Sequence, residues 1–188
     1  MPRFFIPIET AVGETRVAAS PETVQKIISL GCSVSVQSGA GVLSGFTDQD
    51  FLAAGATLIA NSDKSELSSI DSVLCFNQPS IELLEQLPFG CLIIGLLSPY
   101  GNNQLKETLI TRKISAIALE LLPRISRAQS LDALSSQSNI AGYKAAIIGA
   151  SALDRYFPML MTAAGTVQPA RVLIIGAGVA GLQAVATA

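Results

Sequence analysis

The most specific spacing in the chain is Gly176-Ala177-Gly178-Val179-Ala180-Gly181, which follows directly on the apolar run Arg171-Val172-Leu173-Ile174-Ile175. Glycines at these three positions, after a strand and opening a helix, suit a pyrophosphate. The first permits a tight turn, the second lets the backbone approach the phosphates, and the third lets helix pack on strand. The helix N-terminus adds free N–H groups and the positive end of its dipole. A dinucleotide is therefore the expected ligand of Gly176, Ala177, Gly178, Val179, Ala180 and Gly181, and a glycine turn used only for packing is the alternative. The acidic residue that would hold the ribose is expected about 20 residues further on, past Ala188, so the motif does not separate NAD from NADP.

A second concentration of chemistry lies between Glu120 and Tyr143. Arg124, Gln129, Asp132 and Ser135 offer a guanidinium, an amide, a carboxylate and a hydroxyl, a set that matches the donors and acceptors of a carboxamide and a ribose. Asp132 and Ser135 stand one helical turn apart. The competing reading, weighed equally, is a helix N-terminal cap on a solvated face. A rival glycine loop, Gly39-Ala40-Gly41-Val42-Leu43-Ser44-Gly45, has its third glycine displaced by one residue and runs into Thr47-Asp48-Gln49-Asp50, so it reads as a turn.

The absences are equally informative. The 188 residues include no histidine, which removes a Ser/His/Asp triad, an imidazole base and metal sites built on imidazole. Cys32, Cys75 and Cys91 are far apart and each sits in an apolar stretch, so they read as buried core thiols of a reducing compartment. Twelve Lys and Arg against 14 Asp and Glu leave a net charge of -2, with no basic run to follow a nucleic-acid backbone. The N-terminus, broken by Pro2 and Pro7, lacks the apolar core of a secretory signal. The longest apolar run, Cys91 to Leu97, is far short of the roughly 20 residues of a spanning helix. With 49% apolar and only 14% charged residues, some of the surface is expected to be covered by a partner.

Positioning these groups falls to alternating strands and helices, the pattern of βα units on a mostly parallel sheet. Strands are predicted near Arg3–Pro7, Cys32–Gln37, Asp71–Phe76, Cys91–Leu97, Ser115–Leu119 and Arg171–Ile175. Helices follow their punctuation. Ser20 precedes Pro21 and the helix ends before Gly31; Thr47 with Asp50 forms a capping pair; Ser80 caps Ile81–Leu87; Asn103–Lys113 and a long stretch from about Leu131 to Ala150 complete the set. The expected fold is α/β, two Rossmann-like doubly wound lobes: 1–130 an N-terminal lobe, 131–165 a long helix and loop, and 166–188 the start of a nucleotide-binding lobe. One strand and one helix cannot bury their own apolar faces, so the chain is expected to be part of a longer protein.

Glu14-Thr15-Arg16-Val17-Ala18-Ala19-Ser20-Pro21-Glu22-Thr23-Val24, the block from Pro123 to Tyr143 and the segment Arg171 to Ala184 together resemble the alpha subunit, NAD(H)-binding domain I, of proton-translocating NAD(P) transhydrogenases. The related alanine dehydrogenases share the architecture and the first motif. The resemblance spans nearly the whole chain. It implies NAD(H) on this chain and NADP(H) on a partner domain, with direct hydride transfer between them coupled to proton translocation. It further implies a beta subunit with NADP(H)-binding and membrane domains, a homodimer, and a place on the cytoplasmic side of the membrane, peripheral through partner subunits.

In that family Arg124, Gln129, Asp132 and Ser135 would surround the nicotinamide, its carboxamide and the adjacent ribose, and the 176–181 loop would cradle the pyrophosphate. A tyrosine-bearing mobile loop would lie past Ala188, so the fragment by itself is expected to bind NADH weakly and be inactive. Alanine dehydrogenases are expected to place a catalytic lysine where this chain has Asn77 and Gln78, and a catalytic histidine near the end of the strand reading Leu92–Leu97. Both are missing, although Arg16, which would meet a substrate carboxylate in that branch, is kept. An amino- or 2-oxo-acid oxidoreductase and a non-catalytic NADH sensor are the alternatives.

Overall fold

The computed structural model describes residues 1–60 and 64–188, and the chain divides into two compact units, Met1–Leu122 and Pro123–Ala188. In the first unit, β1 (Arg3–Ile6) leads to α1 (Pro21–Ser29), β2 (Ser33–Gln37), α2 (Asp48–Ala53) and β3 (Thr57–Ile59). After α3 (Lys64–Leu67) come β4 (Ser72–Leu74), α4 (Ile81–Gln86), β5 (Leu92–Gly95), α5 (Asn103–Thr111) and β6 (Ser115–Ala118). The six strands form one sheet in the order β3-β2-β1-β4-β5-β6, and every pairing is parallel. That order reverses between β1 and β4, the switch point at which ligands bind in open α/β sheets.

Successive strand residues point to opposite faces, so Phe5 and Ile6, neighbours on β1, enter different layers. Phe5 packs with Val73, Ile93, Leu84 and Leu105, and Ile6 packs with Val24, Val34, Val36 and Phe51. Helices α1 and α2 thus cover one face, while α4 and α5 cover the other. Cover on both faces suits the apolar run of β5, Leu92-Ile93-Ile94-Gly95, whereas β2, Ser33-Val34-Ser35-Val36-Gln37, alternates and fully buries only its valines.

The helix starts at Ser20, Thr47 and Ser80 are realised by the predicted caps, and Asn102 caps α5 in addition. Ser20 accepts the N–H of Thr23, Ser80 that of Leu83 and Asn102 that of Leu105. Thr47 and Asp50 form a complete capping box: the Asp50 N–H donates to Thr47 Oγ1 at 3.2 Å and the Thr47 N–H to Asp50 Oδ2 at 2.7 Å. Thr47→Ala leaves the Asp50 N–H without its side-chain acceptor, while the backbone N–H at position 47 keeps the Asp50 carboxylate, and is expected to cost about 1 kcal/mol, read as a lowered urea midpoint at unchanged slope.

The loop from Gly39 to Gly45 is a packing turn. Gly39 and Gly45 sit at φ +86° and +82°, a short 3-10 turn spans Val42–Ser44, and a Cβ at Gly41 would lie 2.5 Å from Phe51 Cε2. Asp48 accepts the Gly39 N–H at 2.7 Å and the Ser38 hydroxyl, so the protein's own carboxylate fills the position an anion would take.

In the second unit, a 3-10 segment (Ser126–Leu131) runs into the 20-residue helix α6 (Ala133–Ala152). A small antiparallel hairpin of β7 (Leu160–Thr162) and β8 (Gly165–Val167) follows, and the chain then passes through 168–178 into α7 (Val179–Thr187). Three expectations need correction. Arg171–Ile175 pairs with no strand among the described residues, because a parallel strand is made by the N–H and C=O groups of its neighbours and the second unit places none beside it. The loop expected around Gly165 contains the β7-β8 hairpin, and Thr57–Ile59 is an edge strand; at three residues each, these strands are too short for periodicity to reveal. Finally, β6 stops at Ala118, where a 3-10 turn over Leu119–Leu121 begins.

Candidate functional site

At the carboxyl ends of β1 and β4 a cavity of about 300 Å³ is lined by Pro7, Glu9, Gln37, Asn77, Gln78 and Ser80, among others. Glu9, three residues past β1, accepts the backbone N–H groups of Phe76 and Asn77, the latter at 2.9 Å. Burial pushes its carboxyl upward, the two N–H donors oppose that, and the nearby Glu14 charge adds to it. Gln37 accepts the Ile8 N–H at 2.7 Å. In the sequence Glu9 shows as a lone carboxylate just beyond an apolar strand, with no spacing motif to mark it.

Asn77, where an alanine dehydrogenase would be expected to carry lysine, donates through Nδ2 to Glu14 Oε2 at 2.7 Å. Glu14 is gripped in turn by Arg16, whose Nε and Nη2 reach its two oxygens at 2.6 Å each, while the guanidinium lies 3.6 Å above the Phe76 ring. Gln78 accepts from Asn102 at 2.6 Å. At the end of β5, Ser98 adopts a left-handed φ of 45°, and its N–H donates to Glu120. Asn77 and Gln78 are thus both hydrogen-bonded, and the backbone N–H groups of Leu97 and Ser98 are bonded to Glu120.

The Arg16 pair holds the Glu14 carboxyl down at about 2, against an ordinary 4.5. A folded-state value below the unfolded one stabilises the fold above pH 4.5, and that contribution disappears as pH falls toward 2. Glu14→Gln is expected to cost about 1 kcal/mol at pH 7, discounted because Arg16 is half exposed. Urea titrations of both proteins across acidic pH should show that gap closing below pH 4.5.

Cys75 and Cys91 are buried free thiols, pushed by desolvation up to about 12 and about 11, and are inert at neutral pH; Cys32 is free and only partly buried.

The second unit carries both residue sets singled out above. Asp132 is the N-cap of α6: its carboxylate accepts the Ser135 N–H at 2.9 Å and the Ser135 hydroxyl at 2.6 Å. These bonds, led by the hydroxyl, lower the Asp132 carboxyl, and the Arg124 charge adds to the effect. Gln129, exposed on the preceding 3-10 segment, accepts the Asp132 N–H at its carbonyl oxygen, 3.3 Å away. The structure thus joins Asp132 and Ser135 by direct hydrogen bonds and Gln129 to Asp132 through the backbone, while Arg124 acts on Asp132 only through its charge.

In the glycine loop, each glycine has its own physical reason. Gly176 sits at φ +115°, a conformation side chains avoid. A Cβ at Gly181 would lie 2.0 Å from the Gly176 carbonyl oxygen, so the helix packs against the turn. At Gly178 a Cβ would meet nothing within 4 Å and φ is an unremarkable -76°. Neither backbone strain nor protein contact demands glycine there; open space over the N-terminus of α7 fits a pyrophosphate that would fill it. Doubly wound sheet and glycine loop together define an α/β nucleotide-binding protein of the Rossmann kind.

Comparison with known proteins narrows that class. Residues 5–141 match the family model "Alanine dehydrogenase/PNT, N-terminal domain" and residues 145–188 match "Alanine dehydrogenase/PNT, C-terminal domain". The chain belongs to the alanine dehydrogenase/PNT family. It is 51% identical over 191 residues to an NAD(P) transhydrogenase subunit alpha polypeptide of Rhodospirillum rubrum, covering 97% of this chain and 49% of that protein. The crystal structure of transhydrogenase from Sinorhizobium meliloti superposes with a TM-score of 0.92 at 43% identity, over 98% of this chain and 55% of that one. An L-alanine dehydrogenase structure superposes at 0.80 with 29% identity, over 98% and 51%. The chain spans about half the length of these relatives.

Proposed function

We propose that this chain is the NAD(H)-binding component of a proton-translocating NAD(P) transhydrogenase, within its alpha subunit. The reading rests above all on one observation: an open phosphate cradle at Gly178 is kept, while the crevice at the β1-β4 switch point is lined by no lysine or histidine among the described residues and binds Asn77 to Glu14. The 51% identity to a transhydrogenase alpha subunit supports it. Direct transfer between two nicotinamide rings needs alignment but no side-chain acid or base.

NADH supplies the hydride, which passes to NADP⁺ on the partner domain to give NAD⁺ and NADPH. On this chain, the backbone N–H groups of Gly176 to Gly181 hold the pyrophosphate. Asp132 and Ser135 bind the nicotinamide ribose, and Arg124 and Gln129 orient the carboxamide, with Gln129 nearest the partner. The beta subunit contributes the NADP(H)-binding and membrane domains, which keeps this chain peripheral on the cytoplasmic side; no helix among the described residues is long and apolar enough to cross a membrane. A second copy as homodimer partner fits the apolar side chains left exposed on α6, Ile140, Tyr143, Ile147 and Ile148.

Mixing the complete natural polypeptide with the NADP(H)-binding domain tests this directly, by following transfer from NADH to a spectrally distinct NADP⁺ analogue. Transfer that requires both proteins is expected. NADH binding without transfer would overturn the transhydrogenase reading in favour of a sensor, and NADH formation on adding alanine and NAD⁺ would favour an amino-acid dehydrogenase.

A further inference from the structure

Helices α6 and α7 make a main-chain contact at Gly142. A Cβ built on this buried residue would lie 2.1 Å from the carbonyl oxygen of Ala180, 2.8 Å from its carbonyl carbon and 2.9 Å from its Cα. Ala180 is the second residue of α7, in the turn whose free N–H groups face the cradle at Gly178. One turn earlier on α6, Asn139 Nδ2 donates to Gln183 Oε1 at 3.0 Å, one turn later on α7. The two contacts fix how high α7 stands against α6 and how it is rotated.

Glycine is a poor choice inside a long helix, costing about 1 kcal/mol relative to alanine. Gly149 on the same helix shows no such constraint, since its Cβ would meet only Phe157 Cζ, at 3.7 Å. At Gly142, the retreat from 2.1 Å to an ordinary contact would move the Ala180 backbone by roughly 1 Å, because packed interiors do not absorb such an overlap. We infer that Gly142, with Asn139 beside it, is a positioning residue for the nucleotide: it sets the place of the α7 first turn, and so of the phosphate-binding N–H groups. This rests on the NAD(H) reading above; Gly142 itself touches no phosphate.

Gly142→Ala in the complete polypeptide is expected to weaken NADH binding, titrated by NADH fluorescence, about tenfold. KM for NADH should rise in parallel, while kcat at saturating NADH stays within about twofold, the pattern of lost ground-state binding. Gly149→Ala is the control and should bind NADH as the parent does. Wild-type affinity in Gly142→Ala, or a fall in kcat at unchanged affinity, would overturn the inference. If that variant fails to fold, Asn139→Ala decides, with about a threefold loss of NADH affinity expected and an unchanged affinity counting against it. Gly178→Val in the same assay separates the two readings. If it retains NADH, nucleotide binding by this loop is wrong; if it loses NADH while Gly142→Ala keeps it, only the positioning role is wrong.

Discussion

Gly178→Val is expected to abolish NADH binding, with a loss of at least about a hundredfold in affinity, near 2.7 kcal/mol, while the fold survives. The second half of that statement comes from the geometry. Gly178 has φ -76° and ψ -176°, a conformation open to any residue, and a Cβ there meets no protein atom within 4 Å. Valine would therefore fill only the space over the end of α7 in which a pyrophosphate must lie. Its neighbour supplies the contrast. Gly181→Val would drive a side chain into the Gly176 carbonyl oxygen, 2.0 Å from the Cβ position, and should lower both affinity and thermal stability. Calorimetric titration with NADH, alongside thermal melts of each variant, reads both quantities. Wild-type affinity in Gly178→Val would show that the loop serves packing.

Asp132→Asn is expected to slow hydride transfer at least about tenfold, roughly 1.4 kcal/mol, at unchanged stability. Asparagine caps a helix as well as aspartate does, so the Ser135 N–H keeps an acceptor and α6 keeps its start. The substitution removes the negative charge that the Ser135 hydroxyl stabilises and that the Arg124 charge favours. Arg124→Ala should slow transfer to a similar extent. Because Arg124 is exposed, its loss is expected to leave the fold undisturbed. Stopped-flow transfer between NADH and an NADP⁺ analogue, with the partner domain present, measures both. Equal rates in parent and variants would remove the pair from the site and leave Asp132 as a helix cap only.

Much of the architecture could be read from local chemistry. Ser20, Thr47 and Ser80 announce helices because a side-chain oxygen beside the first turn satisfies an N–H that the helix itself cannot. Five of the six strands of the sheet stand out as short apolar or alternating runs between turn residues, including β6, whose residues Ser115 to Ile117 are exposed. Thr57–Ile59 does not, since three residues at the edge of a sheet leave no period to detect. Arg171–Ile175 has the composition of a strand and lacks its ladder, because composition describes a tendency whereas pairing requires a neighbour.

For the site, residue types and their spacing set the inventory: a glycine loop with dinucleotide spacing, a polar set of Arg124, Gln129, Asp132 and Ser135, and no histidine anywhere. Those are properties of residue type and separation along the chain, and both are visible without coordinates. Which groups are already spoken for emerges only on folding. Glu9 binds the backbone beyond β4 from 67 residues away, and Arg16 is held by a Glu14 that also receives Asn77. Asp48 fills the rival glycine loop, and Gly142 makes room for Ala180. These pairings depend on distances closed by folding between residues far apart in the chain. The same separation along the chain can leave a carboxylate free in one fold and bind it to a guanidinium in another.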